Sequence, residues 1–154
     1  MPSVTKLADE IKQSRGFQSK ASEATIALLR TAHLVRRKAE TIAEREGLTL
    51  QQYNVLRILR GARGPLPTME ISARLIEPAP GVTRFVNSLE KRGLIRREQW
   101  PGDRRHVLCQ ITAAGLKLLE RLDQPMDEFD SASTRALTDE QVDTLLGLLA
   151  SIRE

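Results

Sequence analysis

Between Phe17 and Ile42 the apolar or small residues Phe17, Ala21, Ala24, Leu28, Ala32, Val35, Ala39 and Ile42 recur at steps of three and four, the spacing of one helix face. A helix of about 26 residues runs close to 40 Å at 1.5 Å per residue. In a chain of 154 residues that stripe is longer than one small domain can cover by itself, so something else must cover it. The same demand returns at the other end. Thr138-Asp-Glu-Gln141 reads as a capping box, and Val142, Leu145, Leu146, Leu149 and Ile152 follow it as a second apolar face. Two such faces cannot both be buried in a monomer, which predicts a homodimer.

Between these ends the punctuation is dense. Gly47 ends the first helix, and Thr49-Leu-Gln-Gln52 is a capping box for a second in which Tyr53, Leu56, Ile58 and Leu59 are the apolar positions. The turn GARGPLP, residues 61–67, precedes Thr68, which is placed to cap a third helix, MEISARLI. Pro78-Ala-Pro-Gly81 leads tightly into a fourth helix, with Val82, Phe85, Val86 and Leu89 inward and its end at Arg92-Gly93. Two short helices joined so briefly predict helix-turn-helix geometry. Extended runs over 94–100 and 106–111 flank Pro101-Gly-Asp-Arg-Arg105 as a hairpin, with Val107, Cys109 and Ile111 sharing one face. Thr112 can then cap a helix bearing Leu116, Leu119, Leu122 and Met126. The expected fold is mainly α with a small β-hairpin wing, a winged helix-turn-helix flanked by long dimerisation helices. The punctuation divides the chain into an N-terminal helical region, 1–47, a central helix-turn-helix with its hairpin, 48–111, and C-terminal helices, 112–154.

The net charge is +4, and its location matters more than its size. Residues 84–105 hold Arg84, Lys91, Arg92, Arg96, Arg97, Arg104 and Arg105 against Glu90, Glu98 and Asp103. An isolated charge run would be a solvated face, but on a helix followed by a hairpin it fits a footprint for phosphates. Cys109, the single cysteine, permits no internal disulfide and faces inward by strand alternation, as a packing residue rather than a redox sensor. His33 and His106 stand outside any metal-ligand spacing, so neither metal nor cofactor is expected. There is no G-x-S-x-G and no glycine-rich phosphate loop, which argues against an enzyme. No run of eighteen apolar residues could span a membrane, and the N-terminus lacks the apolar centre of a secretory signal, so a cytoplasmic protein is expected.

From Leu48 to Leu122 the runs LTLQQYNVLRIL, GPLPTMEISARL, VTRFVNSLEKRGLIRR and PGDRRHVLCQITAAGLKLLERL closely resemble the MarR family of bacterial regulators. LEKRGLI alone occurs in many winged helices; followed at this distance by PGDRR and ITAAG it is specific. The resemblance implies an obligate dimer in which the first helix and the last two interlock. Two winged helices then straddle a pseudo-palindromic site on double-stranded DNA, as a repressor answering to a small aromatic or amphipathic effector. One departure stands out: Pro80 and Gly81 occupy positions where family members usually carry serine and threonine. Hydroxyl contacts are lost there, though the helix-end amides still favour a phosphate. The candidate DNA-contacting residues are Thr83, Arg84, Asn87 and Lys91 on the recognition helix, with Arg97, Asp103, Arg104 and Arg105 on the hairpin. Arg84 suits guanine and Asn87 adenine, while Asp103 can pair with Arg105 to shape the hairpin tip, freeing Arg105 or Arg104 for the minor groove. His33, Tyr53 and Trp100 are candidates for lining an effector cleft. The competing reading is a winged helix used as a protein-interaction scaffold, whose wing would carry fewer cations.

Overall fold

The computed structural model describes residues 6–154, apart from the side chain of Arg104, and divides into two compact units, one ending at Lys38 and the other Ala39–Glu154. The first unit holds α1 (Leu7–Glu10), a short helix the sequence pattern does not announce, and most of α2 (Lys20–Glu44). The long helix starts later than its apolar stripe predicts because Ser19 Oγ accepts the amide of Ser22 at 3.1 Å, taking the place of a missing helical carbonyl. Phe17 therefore precedes the helix. The buried residues of α2 are Ala39, Ile42 and Ala43, whereas Leu28, Leu29, Leu34 and Val35 are exposed, Leu29 to 65%.

The second unit takes in the end of α2 and then runs α3 (Leu50–Gly61), β1 (Leu66–Pro67), α4 (Thr68–Ala73), α5 (Val82–Lys91), β2 (Ile95–Trp100), β3 (Asp103–Ile111), α6 (Ala113–Thr134) and α7 (Asp139–Arg153). Its sheet is antiparallel in the order β1-β3-β2. One core joins Val55 and Leu56 of α3, Ile71 of α4, Val86 and Leu89 of α5, Ile95, Cys109, and Leu119 and Leu122 of α6. This is the expected winged helix: a helical body carrying a small hairpin-based sheet.

Both capping boxes form. Thr49 and Thr138 each accept the amide of the glutamine three residues on, and each glutamine side chain accepts the threonine's own amide. Thr68 behaves differently. Leu66 pairs with Cys109 and Pro67 with Leu108, so the end of the expected turn is a strand, and Pro67 occupies the N-cap of α4. Thr68 is the first helical residue, its hydroxyl 3.8 Å from Cys109 Sγ. The third helix is also shorter than expected, because Asn54 Oδ1 takes the amide of Ile76 at 3.1 Å and draws the chain out of the helical ladder. The hairpin turn shrinks to Pro101 and Gly102, with Gly102 at φ 115°, and residues 103–105 join β3.

Thr112 is the hinge between sheet and helix. Its hydroxyl donates to the Gly93 carbonyl at 2.7 Å and accepts the Gly115 amide at 3.2 Å. Gly115 is buried where a Cβ would press into the Leu94 carbonyl oxygen and lie 2.7 Å from Ile111 Cγ1. Along α6, Leu118, Leu119, Leu122 and Met126 are buried, while Leu116, expected inward, is 37% exposed. The helix continues through Pro125, which has no amide to give to the preceding turn. No residue of α7 is buried.

Ion pairs tie the helices at their rims. Arg60 Nη1 lies 2.9 Å from both carboxylate oxygens of Asp123. Arg121 holds Glu46 through Nε at 3.0 Å and Nη2 at 2.8 Å. Arg97 grips Glu90 Oε2 through Nε at 2.8 Å and through Nη2. Hydrogen bonds from Arg121 and Arg97 hold the carboxyls of Glu46 and Glu90 below their ordinary range. A carboxyl so depressed contributes stability that is complete above its unfolded value, about 4.3, and lost as pH falls through the lower folded value.

Two stability measurements follow. Gly115→Ala should lower the urea unfolding free energy by about 1–3 kcal/mol through overpacking, whereas Gly61→Ala, with open space around it, should change it by less than about 1 kcal/mol. Equal effects would mean that the α6 junction tolerates a methyl group. In acid titrations of stability, Glu90→Gln should lose less than the unsubstituted chain between neutral pH and pH about 3.5; an equal loss would remove the Glu90–Arg97 pair as a contributor.

Candidate nucleic-acid interface

Helix α5 is amphipathic in the strict sense that one row must be inside. Val82, Val86 and Leu89 are buried, which places Thr83, Arg84, Asn87 and Lys91 on the opposite, exposed side. Thr83, Asn87 and Lys91 follow one another at steps of four, and Arg84 sits beside that row. Four of the expected contact residues therefore share one face. The helix starts at Gly81, φ 95°, with no side-chain cap; the amides of Arg84 and Phe85 return to the Gly81 carbonyl, and the positive end of the helix dipole lies at this end. A left-handed N-cap residue is accessible to glycine without strain, which gives the departure at Gly81 a local cause.

The far end of α5 is tied down by polar contacts. Gln52 Nε2 of α3 donates to Ser88 Oγ at 3.0 Å. Glu90 is held by Arg97 from β2. Arg92, just beyond α5, donates from Nη1 to the Gly47 carbonyl at 2.7 Å and from Nη2 to the Glu46 carbonyl at 2.9 Å. Nothing in sequence spacing signals these contacts: Gln52 reads as a capping residue, and Arg92 as one cation in a run. They also redistribute the expected site. Arg97 projects on the Ile95 side of β2, and its guanidinium is engaged by Glu90, so it is a helix-to-strand tie before it is a surface cation.

At the hairpin tip Asp103 accepts both the backbone amide of Arg105, at 3.0 Å, and its Nε, at 3.2 Å. These bonds hold the Asp103 carboxyl below its usual range, the backbone one first. His106 Nε2 approaches the same carboxylate at 3.5 Å. The Arg105 side chain nevertheless remains 89% exposed, so its pairing orients it without burying it. The Arg104 side chain lies outside the described residues. On the outer face of the sheet Arg96 is bound to Gln110 Oε1, Nη2 at 2.7 Å.

The three residues expected around an effector sit in different settings. Trp100 ends β2 beside the turn, its ring edge-on to His106 at a centroid distance of 6.2 Å, which puts it on the hairpin tip with Arg105. Tyr53 packs against the core from α3, and burial pushes its phenol pKa up. His33 is exposed on α2 in the first unit. Cys109 is fully buried, and desolvation raises its thiol pKa, which opposes thiolate chemistry. Among the described residues no cluster of three histidines, cysteines or carboxylates could hold a metal ion, and no helix is long and apolar enough to cross a membrane.

The MarR family model matches residues 48–107, the span from α3 through most of the hairpin. The HTH-type transcriptional regulator YwoH of Bacillus subtilis, itself uncharacterised, is 34% identical over 110 residues, 71% of this chain and 79% of the relative. The crystal structure of a MarR transcription factor from Planctomyces limnophilus superposes with a TM-score of 0.68 at 34% identity, covering 88% of this chain and 98% of that one. MepR of Staphylococcus aureus, solved in complex with DNA, shares the fold with a TM-score of 0.76 at 23% identity, covering 83% and 94% of the two chains. With its helix-turn-helix, basic hairpin and Thr112–Gly115 junction in place, this chain belongs to the MarR family of transcriptional regulators.

Proposed function

We propose that the protein is a homodimer that binds double-stranded DNA in a sequence-specific way, as a repressor on a pseudo-palindromic operator. The observation that carries this is the outward row of α5, Thr83, Arg84, Asn87 and Lys91, opposite a fully buried row and accompanied by the exposed Arg105. That arrangement fits a helix entering the major groove while the hairpin reaches the flanking minor groove. The DNA complex of MepR supports placing DNA on this fold. Residues 48–111 are then the DNA-binding part, with 1–47 and 112–154 as dimerisation arms whose exposed faces, Leu28 to Val35 on α2 and Leu145 to Ile152 on α7, cover one another's apolar surface. The setting is the cytoplasm and the role is regulatory rather than catalytic. A small aromatic or amphipathic effector is proposed beside Tyr53. Trp100, by its place beside the turn, is reassigned from that cleft to the DNA-facing wing, and His33 has no proposed ligand partner.

Gel shifts on inverted-repeat duplexes with half-sites about one helical turn, 10–10.5 base pairs, apart test the reading directly, alongside light scattering for a mass twice that of the chain. A folded monomer, or no shift on any duplex including the chain's own upstream region, would favour the scaffold reading. Within the bound complex, Arg84→Ala should relax preference at one base pair at a cost of about 1–3 kcal/mol. Arg105→Ala should weaken binding most on sites with A·T-rich flanks while leaving the melting temperature nearly unchanged. If Asp103→Asn harms binding as much as Arg105→Ala, the pair acts chiefly by shaping the tip. Wild-type affinity in Arg105→Ala would remove the wing as a DNA contact.

A further inference from the structure

Arg92 ends the recognition helix, yet its guanidinium is spent on backbone 45 and 46 positions earlier in the chain. Its two terminal nitrogens donate separately to the carbonyls of Gly47 and Glu46, at 2.7 and 2.9 Å. Gly47 turns the chain there at φ 65°, directly after α2. The same turn is gripped from a second side, since Arg121 of α6 holds the Glu46 carboxylate through both oxygens. One two-residue turn is thus held by its backbone from α5 and by its side chain from α6. A planar fork on two acceptors fixes orientation as well as distance, which a point-like ammonium on a flexible stem does not.

We infer that Arg92 is a positioning residue for DNA recognition: its fork on Glu46 and Gly47 fixes α5 relative to the turn after α2 and, through Arg121, to α6, and so sets the separation at which the two recognition helices meet their half-sites. This rests on the dimeric DNA-binding reading above. Arg92 acts through α5 and touches no base. The buried row Val82, Val86 and Leu89 keeps each α5 on its own core without the fork, so each lobe can still read a half-site. What is lost is the register between two lobes.

The test uses the full chain and a set of duplexes carrying identical inverted half-sites whose centre-to-centre spacing varies by one or two base pairs around about 10, plus a single half-site duplex. Affinity is read by fluorescence anisotropy. The unsubstituted protein should bind best at one spacing. Arg92→Lys keeps the charge that attracts phosphates, so it should bind the single half-site as the unsubstituted protein does. It should lose about 2- to 30-fold at the preferred spacing and discriminate less among the others. Arg121→Gln, at a side chain 56% exposed, opens the same turn from α6 and should flatten the profile in the same direction; it decides the matter if Arg92→Lys fails to fold. A spacing profile of unchanged shape in both variants, even with uniformly weaker binding, overturns the inference. If the unsubstituted protein binds no duplex, or binds every spacing alike, it is instead the dimeric DNA-binding reading that fails.

Discussion

The burial of Val82, Val86 and Leu89 along one side of α5 is the constraint on which the interface depends. A helix of ten residues is too short to persist in water by itself, so α5 exists because that row is covered by Val55, Leu56 and Ile71 in a common core. Covering it dictates what remains outside. The polar ties at Ser88, Glu90 and Arg92 all fall at or beyond the second half of the helix, while its first turn is capped by no side chain. Anchoring at one end leaves the exposed side chains of Thr83 and Arg84 at the other, beside the positive end of the helix dipole. Anchor and reader are therefore separated along a single helix.

The hairpin obeys a similar division. Strand β3 is paired on both sides, by β1 at Leu66–Pro67 and by β2 over most of its length, so the base of the wing has no free edge along its centre. Cys109 lies at the crossing of these pairings and is fully buried, where a small apolar side chain fits between Thr68 and the core. Beyond Gln99 the register is irregular and the strands narrow to Pro101 and Gly102. The tip is organised instead by Asp103, which collects the amide and guanidinium of Arg105. A carboxylate that spends its acceptors in this way holds Arg105 outward at little further entropic cost on binding.

Local chemistry was readable from sequence where a residue's partner lies within a few positions. The boxes at Thr49 and Thr138, the cap at Thr112 and the helix end at Gly93 all belong to this class, as does the outward set on α5. Readings failed where the partner is distant. Thr68 looks like a cap until Leu66 and Pro67 are claimed by a strand some 40 residues on, and MEISARLI looks like eight helical residues until Asn54 removes Ile76 from the ladder. Arg97 also gains a partner that spacing does not announce, Glu90 on the adjoining helix, which leaves its proposed phosphate contact to be tested. Leu116 and Leu118 are both leucines at the start of one helix. Leu118, four residues before Leu122, shares the buried face with Gly115, Leu119 and Met126, whereas Leu116 lies at its margin.

Helix α7 raises a different question, because none of its residues is fully buried in the single chain. A capping box and acidic residues in its first turn favour its start, yet fifteen residues with such aids are marginal as an isolated helix. Leu145, Leu146, Leu148 and Ile152 are exposed by 38 to 65%, and full burial of one such side chain is worth about 1.5–3 kcal/mol. The same holds for Leu28, Leu29, Leu34 and Val35 on α2. Covering such a face stabilises a helix by more than one cap supplies, so the homodimer proposed above would give α7 what the single chain does not. The other terminal segments are not separate from the winged helix, since Ile42 and Ala43 of α2 and Leu118, Leu119, Leu122 and Met126 of α6 belong to the core that holds α3 and α5. In the proposed dimer, concentration therefore governs the stability of α7 as well as assembly, while the core beneath α5 is complete within one chain.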